Sequence, residues 1–270
     1  MYTAIMVLVV MGAVGTIFGF ILAYANNKFK IETNPLIHTV EEVLPKGQCG
    51  ACGYAGCAAY AEAVVTNKEV PPNLCVPGKD KVAKSVAELT GKVAEKVEPR
   101  IAHVKCSGSI GKSTIGYNYK GIEDCMAANL LHGGPKGCKY GCVGFGNCAK
   151  ICPFGAIKMG DNGLPIVDAK KCTGCGKCED TCPKKVIQLL PVNATVKVSC
   201  NSKDKGGIAR KICSSSLCLG CGICAKNCSH DAIKIENNLA VVDTKICAES
   251  CRDAACVTKC PTGAIKINTK

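Results

Sequence analysis

The chain has 270 residues, and 24 of them are cysteine, beside five Phe, seven Tyr and no Trp. So few large aromatic side chains exclude a core stabilised mainly by ordinary packing, and so many thiols indicate cross-links or metal sites. The formal net charge is +13, from 34 Lys and Arg against 21 Asp and Glu. Taken alone, this charge would suit nucleic acid or anionic lipid as a partner.

An uncharged apolar segment lies near the start of the chain. The 22 residues from Ala4 to Ala25 carry no charge and are long enough to cross a bilayer as a helix. The closing "AYA" fits a signal-peptide cleavage site, but no basic residue precedes the apolar run, which is also long for a signal core. Because Lys28 and Lys30 follow at once, we predict an uncleaved single-pass helix over residues 1–27 in the plasma membrane, with the other domains on the cytoplasmic side.

Residues 39–78 contain the first group of cysteines. "CGACGYAGC" places Cys49, Cys52 and Cys57 in C-x2-C-x4-C spacing, and Cys75 follows 18 residues later. Cys57 also opens "CAAYAEAVVTN", which is typical of a helix whose N-terminal N–H groups would face a bound anionic group. Four thiolates suit one zinc ion or one 4Fe–4S cluster. The ferredoxin-type runs further along the chain favour the cluster, in a small domain of its own.

Two segments without cysteine are predicted to be linkers. Residues 28–38 form a short exit from the membrane helix, and residues 79–105 follow the first cysteine group. In the second linker, apolar residues recur at spacings of three and four, which is typical of an amphipathic helix; they are Val82, Val86, Leu89, Val93 and Val97. We expect this helix to pack on the cluster domain or to act as a spacer.

From residue 106 onwards the sequence contains a repeat. Residues 148–172, "CAKICPFGAIKMGDNGLPIVDAKKC", align with residues 224–247, "CAKNCSHDAIKIENNLAVVDTKIC". Each copy has Cys-x3-Cys, a short strand, a turn rich in Asn or Gly, a second strand and the next cysteine run. "KKVIQLL" and "TGAIKI" supply a closing strand for each copy. The pattern predicts two tandem, small α+β modules of the two-cluster ferredoxin type, over residues 106–192 and 193–270.

The cysteine runs of these modules predict four more 4Fe–4S clusters. In a two-cluster ferredoxin the fourth cysteine of each run ligates the other cluster. This rule yields four ligand sets: Cys172, Cys175, Cys178 and Cys152; Cys138, Cys142, Cys148 and Cys182; Cys218, Cys221, Cys224 and Cys260; Cys247, Cys251, Cys256 and Cys228. Two runs have longer gaps than C-x2-C-x2-C, and Cys228 precedes Ser229 where the other runs have Pro.

Four cysteines remain outside these sets: Cys106, Cys125, Cys200 and Cys213. "VKC" and "VSC" place Cys106 and Cys200 at equivalent positions before each module, and Cys125 and Cys213 each lie upstream of the first run of a module. We hypothesise a sixth 4Fe–4S cluster between the modules, with two ligands from each. Buried free thiols are the alternative.

Iron–sulfur clusters fit this cysteine usage better than disulfides or zinc. Disulfide scaffolds are mostly small secreted domains, and zinc sites usually have separated C-x2-C pairs or His ligands. We expect no ligand role for the four histidines, His38, His103, His132 and His230. Because an oxidised cluster with four thiolates carries about −2, five or six clusters offset most of the +13, and no nucleic-acid partner is expected. With no G-x-G-x-x-G or P-loop motif, we expect no bound NAD or flavin and no catalytic residue.

The chain thus has a membrane helix, then a C-G-x-C-G-x-x-G-C domain with a distant cysteine, then ferredoxin modules. Over essentially its whole length, this order resembles the long form of the B subunits of the Rnf ion-translocating ferredoxin:NAD oxidoreductase family. "CGACGYAGC" is the specific part, although related domains occur in corrinoid iron–sulfur proteins. The resemblance implies an electron-transfer subunit, soluble ferredoxin as donor, membrane and redox subunits and lipid as partners, and coupling to Na+ or H+ translocation. The alternatives are a membrane-tethered polyferredoxin that serves other enzymes, and reductive activation of a corrinoid protein.

Overall fold

The computed structural model describes residues 2–29, 34–96, 98–251 and 253–268. Over these ranges the helices are α1 Tyr2–Lys28, α2 Pro35–Val43, α3 Cys57–Thr66, α4 Lys79–Thr90, α5 Cys125–Leu130, α6 Asn147–Lys150, α7 Lys177–Asp180, α8 Gly206–Ile212, α9 Ile223–Lys226, α10 Thr244–Ser250 and α11 Ala255–Thr258. The strands are β1 Arg100–Val104, β2 Ile157–Met159, β3 Pro165–Val167, β4 Ile187–Pro191, β5 Val196–Val198, β6 Ile233–Glu236, β7 Leu239–Val242 and β8 Ile265–Ile267. The longer helices thus precede residue 91, and short helices and paired strands follow.

Helix α1 is the apolar segment predicted from the sequence. It has 27 residues, so at 1.5 Å per residue it is about 40 Å long, enough to cross the hydrocarbon core of a bilayer. Its apolar side chains are exposed, with Leu8 at 73 % and Phe20 at 79 %. Within the described ranges, Ile5–Lys28 is the one helix that is long and apolar enough to span a membrane.

Helices α2, α3 and α4 pack together as a small helical domain. Val40 of α2, Tyr60 and Val64 of α3 and Val86 of α4 are buried in one core. The hydroxyl of Tyr60 donates to the carbonyl of Pro71 at 3.0 Å, so its one polar atom is satisfied. Helix α2 starts inside the segment predicted to be a linker over residues 28–38, of which residues 30–33 lie outside the described ranges.

Helix α4 is shorter than the predicted amphipathic helix. It ends at Thr90 because Gly91 adopts a left-handed conformation, with φ 66°, and donates its N–H to the carbonyl of Ala87. Val93, which the pattern places on the apolar face, is 89 % exposed, and Val97 lies outside the described residues. The apolar face is therefore confined to the 12 residues of α4.

The strands pair as four antiparallel two-stranded ribbons. We call residues 100–191 the first half and residues 196–267 the second half. In each half an inner hairpin, β2–β3 or β6–β7, joins strands adjacent in sequence, and an outer ribbon, β1–β4 or β5–β8, joins the first strand to the last. The predicted hairpin and closing strands are confirmed. Residues 100–104 differ: the sequence indicates a helical linker there, and the structure has strand β1.

The two halves contact each other through main-chain and side-chain groups, in a region that we call the joint. Ser113 and Cys213 form an isolated antiparallel bridge. Between the outer ribbons, Nε2 of His103 in β1 lies 2.8 Å from the carbonyl oxygen of Val198 in β5. Because a carbonyl only accepts, the imidazole carries its proton on Nε2. These contacts bring cysteines of both halves close to the joint.

Candidate iron–sulfur sites

All 24 cysteines lie in the described ranges and are free thiols. Four cavities are each lined by four of them. Their lining sets are Cys152, Cys172, Cys175 and Cys178; Cys218, Cys221, Cys224 and Cys260; Cys125, Cys142, Cys148 and Cys182; Cys106, Cys138, Cys200 and Cys213. The other eight cysteines form two further sets, and within each set one thiol interacts electrostatically with the other three. The sets are Cys49, Cys52, Cys57 and Cys75; Cys228, Cys247, Cys251 and Cys256.

The set in the helical domain combines a loop, a helix start and a distant cysteine. Cys75 lies within electrostatic reach of Cys49, Cys52 and Cys57. Helix α3 begins at Cys57, as the sequence predicts, and Oε1 of Gln48 accepts the Cys57 N–H at 2.9 Å. Gln48 therefore caps the helix from the preceding loop, which the sequence pattern does not reveal. Burial raises the pKa of Cys75 to about 11.

In the first half, the structure brings together the thiols that the two-cluster rule places in one set. They are Cys152, Cys172, Cys175 and Cys178. Main-chain N–H groups point at two of the sulfurs: Ala102 donates to Cys172 Sγ at 3.5 Å and Ala156 to Cys152 Sγ at 3.4 Å. Such N–H···S bonds stabilise a thiolate and tune the reduction potential of a bound cluster.

Glycines let the two C-x2-C-x2-C loops approach neighbouring backbone closely. Gly174 has φ +75°, and a Cβ there would lie 2.5 Å from the carbonyl oxygen of Arg100. Gly220 occupies the equivalent place in the second half, with φ +67°, and a Cβ there would lie 2.8 Å from the carbonyl oxygen of Asn238. Both positions need a left-handed residue without a side chain.

The second half also brings together two predicted sets. They are Cys218, Cys221, Cys224 and Cys260, and Cys228, Cys247, Cys251 and Cys256. Burial acts to raise the pKa of Cys260, but N–H groups of Ile265, Thr262 and Ala264 outweigh it and hold that pKa below its ordinary value. Cys221 is exposed, so this set reaches the protein surface.

Cys138 lies away from the set predicted for it. It lines the cavity that also contains Cys106, Cys200 and Cys213. Its thiol interacts electrostatically with those of Cys106 and Cys213. A turn, in which Gly141 N–H donates to the Cys138 carbonyl at 3.0 Å, separates Cys138 from Cys142, so the two line different cavities.

Cys125 takes the place predicted for Cys138. It lines a cavity with Cys142, Cys148 and Cys182. Asn147 holds it there, since Oδ1 accepts the Cys125 N–H at 3.0 Å and Nδ2 donates to Oδ2 of Asp124 at 2.6 Å. The predicted groupings of Cys138 with Cys142, Cys148 and Cys182, and of Cys125 with Cys106, Cys200 and Cys213, are therefore wrong in one member each.

The donor sets fit iron–sulfur clusters better than single zinc ions. Burial raises the pKa of Cys142 and of Cys178 to about 12, so these thiols are protonated until a metal displaces the protons. In the described part of the chain, no three His, Cys, Asp or Glu side chains converge on one ion position, whereas a zinc site needs four ligands within about 2.3 Å of the ion. Four thiols spaced around a cavity suit a cluster.

The histidine at the joint is perturbed without lying in a cysteine set. Burial lowers the pKa of His103 to about 4, against the hydrogen bond to Val198, and the charges of Lys197, Lys105 and Lys266 lower it further. The ring is therefore neutral at physiological pH and acts as a hydrogen-bond donor between the outer ribbons.

Known proteins match the chain along nearly its whole length. Residues 44–77 match the family model for a putative Fe-S cluster, and residues 141–186 and 171–232 match that for a 4Fe-4S dicluster domain. The chain is 64 % identical over 266 residues, 98 % of this chain and 93 % of the relative, to the B subunit of the proton-translocating ferredoxin:NAD(+) oxidoreductase complex of Clostridium ljungdahlii. The chain belongs to this B-subunit family.

Two further relatives are also B subunits of ion-translocating complexes. The B subunit of the Na(+)-translocating ferredoxin:NAD(+) oxidoreductase complex of Acetobacterium woodii is 43 % identical over 98 % of this chain and 78 % of its own length. The B subunit of the ion-translocating oxidoreductase complex of Methanosarcina acetivorans is 40 % identical over 96 % of each. As a B subunit, the chain is an electron-transfer subunit of an ion-translocating ferredoxin:NAD oxidoreductase complex, and its cysteine-rich part contains 4Fe–4S domains.

Neighbouring cysteine sets of this B subunit are close enough to influence one another electrostatically. The pairs of thiols from different sets that do so are Cys49 and Cys175, Cys148 and Cys178, Cys106 and Cys142, Cys200 and Cys218, and Cys224 and Cys256. These five interactions place the six sets in a single row, from the helical domain through the first half to the second half.

Proposed function

We propose that this B subunit receives electrons from soluble ferredoxin on the cytoplasmic side of the plasma membrane and delivers them to membrane and redox subunits that reduce NAD+ and translocate Na+ or H+. The row of thiol sets is the observation that supports it. When bound, a 4Fe–4S cluster accepts and releases one electron at a time. Each NAD+ takes two electrons and a proton, so two single-electron deliveries are needed for each NADH.

Five of the sets are proposed to hold these clusters. They are Cys49, Cys52, Cys57 and Cys75; Cys152, Cys172, Cys175 and Cys178; Cys125, Cys142, Cys148 and Cys182; Cys218, Cys221, Cys224 and Cys260; Cys228, Cys247, Cys251 and Cys256. Each set has at least one thiol that is no more than 8 % exposed, namely Cys75, Cys178, Cys148, Cys224 and Cys256. These buried thiols would limit the access of water to one side of a bound cluster, and N–H groups aimed at the sulfurs would tune its potential.

The proposed domain organisation follows the elements. Residues 1–27 anchor the chain in lipid, residues 39–78 form the single-cluster domain, and two tandem two-cluster modules follow. The outer ribbons support this division, because each closes one half of the cysteine-rich region. Strand β1 moves the start of the first module from residue 106 to Arg100.

Substitution of Cys49 by Ala tests the position of the first set. In inverted membrane vesicles containing the whole complex, we expect loss of NADH formation from externally added reduced ferredoxin, and a loss of about 4 Fe per chain. Clusters in the two halves should be retained, since they have separate ligands. Tyr54→Phe, in the same loop, is the matched control and should keep both iron and activity.

Two results would contradict the proposal. Unchanged NADH formation after loss of the iron would remove the helical domain from the electron path. Activity in right-side-out but not inverted vesicles would place the cysteine-rich region on the opposite side of the membrane.

A further inference from the structure

The cavity at the joint between the halves is lined by four thiols that the five proposed clusters leave unused. Cys106 and Cys138 come from the first half, and Cys200 and Cys213 come from the second. The cavity is somewhat larger than the four-thiol cavities of three proposed cluster sites. It is therefore large enough for the same kind of group.

The thiols of the two halves are close to one another across Gly108. A Cβ at Gly108 would lie 3.5 Å from Cys213 Sγ and 3.7 Å from Cys106 Sγ. Cys138 is in electrostatic contact with both of these thiols. A larger residue at position 108 would place its side chain against both sulfurs, so the glycine leaves room at the thiols.

A main-chain N–H group points at one of the four sulfurs, since the N–H of Cys142 donates to Cys106 Sγ at 3.4 Å. Backbone groups near Cys138 and Cys200 act in the same sense, because they lower the pKa of each thiol against the effect of burial. The same kind of N–H···S bond occurs in the proposed cluster sites of the first half, where it favours the thiolate form.

Polar and positively charged side chains surround this cavity. Ser113, Ser199 and Ser202, the three buried polar residues in the described part of the chain, all line it. Lys105 and Lys136 line it as well. The two lysines are half-buried, and Asp204 is the acidic residue that also lines the cavity. The buried hydroxyls and the two ammonium groups would stabilise a bound group that carries negative charge.

We propose that Cys106, Cys138, Cys200 and Cys213 hold a further 4Fe–4S cluster, and that this site connects the two halves of the B subunit. It lies between two proposed cluster sites, because Cys106 contacts Cys142 on one side and Cys200 contacts Cys218 on the other. Without it, the row of sites is interrupted at the joint. The inference rests on the proposed function, since it assigns the same cofactor to a site of shared ligands.

The first test counts iron and acid-labile sulfide in the full-length chain, purified in detergent and reconstituted under anaerobic conditions. Six clusters require about 24 Fe per chain and five require about 20. We expect about 24, with Mössbauer spectra that show 4Fe–4S centres throughout. A count of about 20 overturns this inference and leaves the proposed function intact, whereas a count well below 20 contradicts the five proposed sites as well.

The second test identifies the ligands with substitutions. Cys200→Ala/Cys213→Ala should lower the count by about 4 Fe per chain. Adding Cys138→Ala should change nothing further, because it removes a third ligand of the same site. Adding Cys125→Ala instead should remove about 4 Fe more, because that thiol belongs to another site.

The opposite behaviour of the two triple variants would overturn the assignment of Cys138 in favour of Cys125. An unchanged count in the double variant would show that Cys200 and Cys213 are free thiols, and would overturn the site itself. The wild-type count requires no substitution, so it decides whether six clusters are present even if a variant fails to fold.

Discussion

Replacement of Lys92 by Met should loosen the helical domain that contains the first cysteine set. Nζ of Lys92 donates to three carbonyl oxygens, those of Val64 at 2.7 Å, Asn67 at 2.7 Å and Val70 at 2.8 Å. These carbonyls lie in the last turn of α3 and the segment after it, where a helix leaves its final carbonyls without intrahelical partners. One ammonium group therefore ties the end of α3 to the chain that follows α4.

The expected loss in free energy of unfolding follows from these three bonds. A hydrogen bond to a charged group contributes about 1.5–3 kcal/mol. Lys92 is half-buried, so we take the lower value and let water replace one of the three bonds, which leaves about 3 kcal/mol. A loss of that size corresponds to about a 150-fold increase in the equilibrium opening of α3.

Amide hydrogen exchange followed by mass spectrometry on the full-length protein measures this opening directly, through peptides that cover α3. We expect about 150-fold faster exchange of protected α3 amides in Lys92→Met. Lys84→Met is the matched control, because Lys84 is an exposed residue of α4, and it should leave exchange unchanged. Exchange in Lys92→Met within about threefold of wild type would refute the reasoning, since that is well under 1 kcal/mol.

Acidification should weaken the joint between the halves. Burial lowers the pKa of His103 to about 4 from 6.5. The free energy of unfolding that the neutral ring contributes is therefore complete above pH 6.5 and is lost as the pH falls towards 4. The loss is about 2 kcal/mol at pH 5. Hydrogen exchange in β5, corrected for intrinsic rates, measures the loss, and His103→Gln, which keeps a side-chain donor, should abolish it. Gly174→Ala should lower the iron content by about 4 Fe per chain, because the new Cβ meets the Arg100 carbonyl oxygen and displaces the loop that holds one set of ligands. Gly53→Ala is its control, with φ +85° but nothing within 4 Å of the new Cβ, and equal iron in the two variants would contradict this account.

Ligand sets on one local loop were predictable, and those that depend on distant contacts were not. A C-x2-C-x2-C run dictates its own turn geometry, so the structure groups Cys172, Cys175 and Cys178 as the spacing indicates. Cys125 reaches its set through Asn147, which is 22 residues away along the chain. A side-chain amide that accepts one backbone N–H has no periodic signature, so the exchange of Cys125 with Cys138 was invisible to spacing.

The fold shows the same distinction between local and distant contacts. Helix α3 and the inner hairpins follow from patterns within a few residues. Strand β1 forms only because it pairs with β4, whose residues lie more than 80 positions later, as in the pair Val104 and Ile187, and tertiary pairing of this kind overrides local propensity. The end of α4 was predicted too late, because the apolar pattern was extended to Val97 although Gly91 after a helical pattern is a common C-terminal signal.

The outer ribbons determine the order in which the chain can be completed during synthesis. Strand β1 has no partner until Pro191 has left the ribosome, and β5 has none until Ile267 has followed. The first half can therefore close while the second half is still being translated. The cavity at the joint takes two thiols from each half, so it cannot form until Cys213 has been synthesised, after the first half is complete.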